Sequence, residues 1–205
     1  MMHTIRSASE EDIPGIVSVH LASFQKFFLS CLGPRFLSLL YHEIMKQEGS
    51  LSLAAADEEG KVVGFAVGVA NQASLYRRLA VHRWFAFAMA GSRAALAHPM
   101  IIPRLFQAFA YVGKSRAAAC PALLMSIAVA PEGKGRGIGS DLVARFLDEM
   151  AERGVDKVSL TTDRDDNEAT NGFYRKLGFS MVREYQTPQG RWMNEYVIQT
   201  KGERS

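Results

Sequence analysis

Cysteine is scarce: Cys31 and Cys120 are the only two in 205 residues, too few and too far apart for a disulfide framework or for a metal-ligand pattern. Both are expected as small buried hydrophobes in a reducing compartment, and no metal is expected. No apolar run reaches the length that spans a bilayer, and the opening MMHTIRSASEED lacks a basic stretch followed by a long apolar one. A cytoplasmic location is the resulting expectation. Acids are absent from one long interval, with no Asp or Glu between Glu59 and Glu132, while Lys61, Arg77, Arg78, Arg83, Arg93, Arg104, Lys114 and Arg116 fall inside it. Exposed faces there would attract an anion such as a phosphate, a nucleotide or a lipid headgroup, unless acids folding nearby balance them. A net charge of +3 without a recognition motif excludes nucleic acid as the expected partner. What remains is a globular composition, 48% hydrophobic and 22% charged, sized for one domain over residues 1–205.

The order of elements follows from periodicity and punctuation. Ile5 and Arg6 read as a short strand, and SASEEDIPGIVSVHLASF supplies Ser9 as a cap, acids in the first turn and apolar residues at helical spacing. After a break at Gly33 and Pro34, residues Phe36, Leu37, Leu40 and Ile44 form one face of a second helix. SLSLAAAD and KVVGFAVGVA flank the turn DEEG as a hairpin. Residues at about 71–121 change character, with short helical patterns rich in Arg and aromatics, and are expected as a helical insertion between two strands. ALLMSIAVA is then an apolar strand of the kind buried on both faces. Beyond it come the helix SDLVARFLDEMAERG, the strand DKVSLTT, the short helix EATNGFYRKLG and a hairpin of FSMVREYQ and RWMNEYVIQ. Such an order implies an α/β fold, a mixed sheet with helices on its faces.

Between the apolar strand and its helix lies PEGKGRGIGS, residues 131–140. A strand passing through glycines into a helix N-terminus gathers free backbone N–H groups and the positive end of the helix dipole, a natural phosphate site. The Walker pattern fails because Gly133-Lys134 is followed by Gly135 rather than Ser or Thr. The dinucleotide pattern fails because the sixth position is Ile138 or Ser140. What is left is Lys134-Gly135-Arg136-Gly137-Ile138-Gly139, and a second segment, DNEATNGFYRKLGF, follows at a fixed distance.

Together these resemble the two signatures of the GCN5-related N-acetyltransferase (GNAT) family. Lys134, Gly137 and Gly139 fill the first, with Lys134 where the family prefers Arg or Gln, a change that keeps charge and loses planar hydrogen bonding. Asn167, Phe173, Tyr174, Lys176, Leu177, Gly178 and Phe179 fill the second, with Thr170 in place of the usual alanine. The resemblance implies a GNAT-like acyl-CoA N-acyltransferase fold with the insertion between its third and fourth strands, and acetyl-CoA as co-substrate. It implies a pyrophosphate cradle from Lys134, Gly135, Arg136, Gly137, Ile138, Gly139 and Ser140, and a pantetheine arm bonded by the backbone of Ile127, Ala128 and Val129. Asn167, Phe173 and Lys176 are carried over as further cofactor contacts, Asn167 with helix capping as its rival role.

Acetyl transfer needs a neutral amine against the carbonyl, a stabilised oxyanion and a protonated leaving thiolate. Tyr174 is the candidate general acid, with packing on the sheet as its rival role. The base stays open among Asp163, Asp165, Glu184, the insertion histidines His82 and His98, and a water chain. The expected partners are acetyl-CoA and a small amine, with an amino sugar as one class. The insertion reads as a lid, a homodimer surface or a patch for an anionic membrane surface. A non-catalytic acyl-CoA-binding or sensing module is the alternative function.

Overall fold

The computed structural model describes residues 3–25, 27–75 and 119–201. Most of the helical insertion expected at about 71–121 lies outside the described residues. Its two flanks meet: the Gln72 backbone N–H donates to Pro121 O at 3.0 Å and its Nε2 to Cys120 O at 3.1 Å.

Among the described residues seven strands form one sheet: β1 (Thr4–Ser7), β2 (Ser50–Ala56), β3 (Val62–Val69), β4 (Ala122–Val129), β5 (Lys157–Asp163), β6 (Ser180–Gln186) and β7 (Trp192–Gln199). Their spatial order is β1-β2-β3-β4-β5-β7-β6, antiparallel at every step except β4 with β5. The described helices are α1 (Ile13–Ser23), α2 (Phe28–Cys31), α3 (Pro34–Met45), α4 (Ile138–Glu152) and α5 (Glu168–Lys176).

β3 feeds two cores, alternating with period two from Phe65 onward, with Val63 as the extra residue of a bulge opposite Ala55 and Ala56. Phe65, Val67 and Val69 join Ile16, Val17, Leu37 and Tyr41 beneath α1 and α3, whereas Val63 and Ala66 join Leu142, Phe146 and Met150 of α4. Burying aliphatic and aromatic side chains of this size contributes about 1.5–3 kcal/mol each. Gly68 permits the closest approach: a Cβ there would lie 2.4 Å from Leu123 O and 2.5 Å from the Phe146 ring.

Some details depart from the sequence pattern. Ser9 caps a 3-10 turn, Glu10–Asp12, and α1 starts only at Ile13. On α3 the buried stripe is Phe36, Leu37, Tyr41 and Ile44, with Leu40 only half-buried. Of the two cysteines only Cys120 is buried; Cys31 is exposed because it sits on α2, a single turn in the connection between α1 and α3.

The N-terminal turn is held by charge. Arg6 donates two bonds of 2.7 Å to Asp12, and Asp12 also accepts the Ser9 N–H at 2.8 Å. The Arg6 bond, then the Ser9 bond, hold the Asp12 carboxyl below its ordinary value against the opposing cost of burial. A depressed native pKa means stability that is present above the unfolded value and lost as pH falls through the native one. Asp12→Asn should therefore cost about 1–2 kcal/mol near neutrality, with the difference shrinking below about pH 4. Denaturant unfolding at several pH values checks this; an unchanged midpoint at neutral pH would contradict it.

Candidate functional site

The parallel ladder between β4 and β5 consists of two pairs, Ala122 with Val158 and Leu123 with Ser159. Ser159 Oγ donates to Ala122 O at 2.9 Å and pins this closed end. Beyond it Leu124–Val129 pair with β3 alone, so a wedge opens toward the C-terminal ends of both strands. A bulge lies at its start. Ser126 pairs with Val67 and Leu124 with Gly68, which leaves Met125 as an extra residue. Bulges bend a strand and increase its twist, and here the bend carries β4 away from β5. At the open end Ser23 Oγ donates to Val129 O at 3.2 Å, tying β4 to α1. The sequence expectation of a strand buried on both faces is corrected here: Met125, Ser126, Ile127 and Val129 are only half-buried, because the wedge exposes them.

The glycine loop stands at the open end. A 3-10 turn, Pro131–Gly133, follows β4, and Gly135 (φ 77°) and Gly137 (φ 78°) then adopt left-handed backbone that a side chain would strain. Gly137 is the residue before the first turn of α4. The Asp141 N–H already bonds Gly137 O at 3.0 Å, whereas the N–H groups of Ile138, Gly139 and Ser140 belong to the turn that has no intrahelical acceptor. Lys134 and Arg136 are exposed beside them. Asp141, also exposed, bonds His3 Nε2 at 2.9 Å. Ile138 is 3% exposed with its side chain in the core, so only its backbone is available to a ligand. These donors and cations fit a diphosphate.

Helix α5 closes the other side. A Cβ on Gly139 would meet Phe173 Cζ at 3.4 Å, so the loop and α5 are in contact. Tyr174 is 7% exposed, with its ring 5.3 Å from Phe173, 5.6 Å from Phe179 and 6.2 Å from Tyr196. Its hydroxyl makes no hydrogen bond among the described residues, and burial pushes its pKa up to about 12. It is therefore a proton donor at any neutral pH. Asn167 stands at the N-cap position of α5 without a side-chain capping bond; its Nδ2 donates to Thr162 Oγ1 at 2.6 Å and Asp163 O at 3.1 Å. Asn171, unremarked in the sequence, bolts α5 to the sheet. Its Nδ2 donates to Asp163 O and Asn167 O, and its Oδ1 accepts from Asn194 Nδ2 and the Tyr196 hydroxyl. Lys176 is exposed in the last turn.

Residues 109–179 match the acetyltransferase (GNAT) family. Over that stretch the chain is similar to GNAT acetyltransferases. Mycothiol acetyltransferase of Corynebacterium aurimucosum is 37% identical over 59 residues, 29% of this chain and 19% of that protein. The protein of the same name from Tsukamurella paurometabola is 48% identical over 54 residues, 26% of this chain and 18% of that protein. The chain thus matches less than a fifth of the length of each of these relatives. The ribosomal-protein-S18-alanine N-acetyltransferase of Escherichia coli superimposes with a TM-score of 0.60 at 18% identity, covering 100% of this chain and 99% of that one, and so shares its fold. Among the described residues no helix is long and apolar enough to cross a membrane.

The carboxylates considered as bases are engaged. Asp163 holds Arg191 Nη2 at 2.6 and 2.7 Å, Asp165 holds Arg164 at 2.7 Å, and Glu184 lies 3.7 Å from Arg164. His82 and His98 lie outside the described residues. A group the sequence did not single out lies under the wedge: His20 Nδ1 is 2.7 Å from the Tyr41 hydroxyl, which reaches Ser126 Oγ at 3.5 Å. These residues are 21 and 85 positions apart, and no local motif announces them.

Proposed function

We propose that this chain is an acetyl-CoA-dependent N-acetyltransferase, acting as one domain with an excursion at about residues 71–121. It transfers the acetyl group to a primary amine of a small molecule by direct attack on the thioester, and amino sugars are the first acceptor class to try. The wedge between β4 and β5 carries this reading: unpaired β4 backbone leads into the glycine loop, whose Gly139 lies against Phe173, the neighbour of Tyr174 on α5.

The residues divide the work. Backbone N–H groups from Gly135 to Ser140, with the Lys134 and Arg136 cations, hold the pyrophosphate, and Lys176 adds positive charge at the edge. Ile127, Ala128 and Val129 offer main-chain bonds to the pantetheine arm; the Ser23 bond to Val129 O leaves that carbonyl already partnered. Phe173 fixes the loop against α5, and Asn167 keeps Oδ1 for the ligand while its Nδ2 holds β5. The bound thioester supplies an activated acetyl carbon. As the C–N bond forms and the C–S bond breaks, Tyr174 gives its proton to sulfur and is reprotonated from solvent.

Release of CoA, measured against a panel of primary amines and amino sugars, tests the assignment. Amine-dependent CoA release with formation of the amide is expected; binding of acetyl-CoA without transfer to any amine would favour the sensing module instead. Lys134→Ala should raise the KM for acetyl-CoA about 5- to 10-fold at low salt and less at high salt. A KM that is unchanged at low salt would remove Lys134 from the cradle.

A further inference from the structure

A buried imidazole lies under the wedge, and no step described so far uses it. His20 is 4% exposed, packed against the Phe24 ring at 4.8 Å and stacked over Phe65 at 6.4 Å. Its Nδ1 meets the Tyr41 hydroxyl, and its Nε2 is buried without a hydrogen-bond partner among the described residues. An orphaned buried polar atom costs about 1–3 kcal/mol and calls for a reason. The chain of contacts ends at Ser126, half-buried beside the bulge, which faces α1 and α3. The diphosphate cradle feeds α4 on the opposite face of the sheet. An amine reaching a thioester held in the wedge from the α1 and α3 side would meet Ser126, which is half-buried.

We propose that Ser126, Tyr41 and His20 form a proton path for the acceptor amine, with Ser126 touching the amine and the other two acting through it. As nitrogen bonds the acetyl carbon, its proton passes to Ser126 Oγ, the Ser126 proton to Tyr41 Oη and the Tyr41 proton to His20 Nδ1. The electron pair of the C–S bond leaves on sulfur, which takes the Tyr174 proton. After product departure the imidazolium returns its proton through the same hydroxyls to solvent. This direction uses the His20 tautomer protonated on Nε2, and both hydroxyls rotate from the resting bond in which Tyr41 donates to Ser126.

The surroundings suit a transient base. Burial lowers His20 to about 4 and raises Tyr41 above its ordinary value, so at neutral pH both are in the forms the path starts from. The elements packed on His20 present Phe24 from α1, Tyr41 from α3, Phe65 from β3 and, through Tyr41, Ser126 from β4; no carboxylate or cation contributes among the described residues. Glu43 is turned about 200° around α3 from Tyr41. His42 lies 3.6 Å from Glu10.

The inference rests on the acetyl-transfer reading, and the experiment separates the two. Acetyl-CoA affinity is measured by calorimetry, and acetylation of ethylamine and of the wider amine panel is followed between about pH 6 and about pH 9 in wild type, Tyr41→Phe, Ser126→Ala and the double variant. Each single variant should bind acetyl-CoA as wild type does and turn over at least about 10-fold more slowly near neutrality, the deficit shrinking as pH rises. The double variant should be no slower than the slower single one, since the residues act as a unit. A folded Tyr41→Phe with wild-type turnover and pH profile overturns the path, as do single effects that multiply. Wild type that binds acetyl-CoA but acetylates no amine leaves the path without a reaction and overturns it, whereas failure to bind acetyl-CoA overturns the functional reading itself.

Discussion

Tyr174→Phe lowers the turnover number for acetyl transfer by about 100-fold or more, with acetyl-CoA affinity little changed. The ring keeps its contacts with Phe173, Phe179 and Tyr196, so the substitution removes a hydroxyl and little packing. That hydroxyl has no partner among the described residues, so its loss orphans nothing in the resting protein. A pKa near 12 keeps it protonated through the neutral and mildly alkaline range, so wild-type turnover should show no alkaline limb from this group below about pH 11. Steady-state kinetics across pH check both statements. Turnover of the variant equal to wild type would leave Tyr174 with a packing role only.

Gly68→Ala carries the largest expected loss of stability. The added methyl would overlap Leu123 O at 2.4 Å and the Phe146 ring at 2.5 and 2.9 Å. The carbonyl belongs to a paired strand and Phe146 is fully buried, so neither can give way as a flexible surface side chain could. Overpacking of this kind costs about 3 kcal/mol or more, a large share of the total stability of a single domain. Chemical denaturation should show a midpoint far below wild type, accompanied by weaker acetyl-CoA binding because Phe146 anchors the helix that begins at the glycine loop. An unchanged midpoint would mean that α4 is not seated on β3 as described. By contrast, a Cβ on Gly139 would meet Phe173 at ordinary contact distance, so Gly139→Ala should be mild for stability.

The parts of the site that were legible in the sequence are those written locally. Gly135, Gly137 and the helix after them lie within a few residues, and the left-handed backbone they require leaves a visible glycine spacing. Phe173 and Tyr174 are fixed relative to the loop by one strand and one helix, whose patterns the sequence shows. The wedge itself was not legible, because it depends on the Met125 bulge and on where β5 stops pairing, and both arise from contacts between distant strands. For the same reason the acids Asp163, Asp165 and Glu184 looked free in the sequence, whereas arginines from the neighbouring hairpin and loop engage them in the fold. His20 and Tyr41 were not singled out in the sequence, and both are buried in the fold. Only the 2.7 Å contact between them and the unpartnered Nε2 set them apart.

The engagement of Asn171 makes a related point about the second signature. Three hydrogen bonds from one amide tie α5 to β5 and β7 and a fourth closes on its N-cap residue Asn167, so the helix carrying Tyr174 is held by polar bonds at its start and by Phe179 at its end. The network is satisfied at Asn171, whereas Asn194 Oδ1 is buried without a partner among the described residues. The tyrosine hydroxyl is thereby placed by the fold rather than by a partner of its own.

A crystal structure with CoA bound tests the central claim most directly. The pyrophosphate should lie against the backbone N–H groups between Gly135 and Ser140, the pantetheine arm between Leu124–Val129 and β5, and the sulfur within hydrogen-bonding distance of the Tyr174 hydroxyl. CoA bound elsewhere, or in the wedge with its sulfur turned away from Tyr174, would contradict the account.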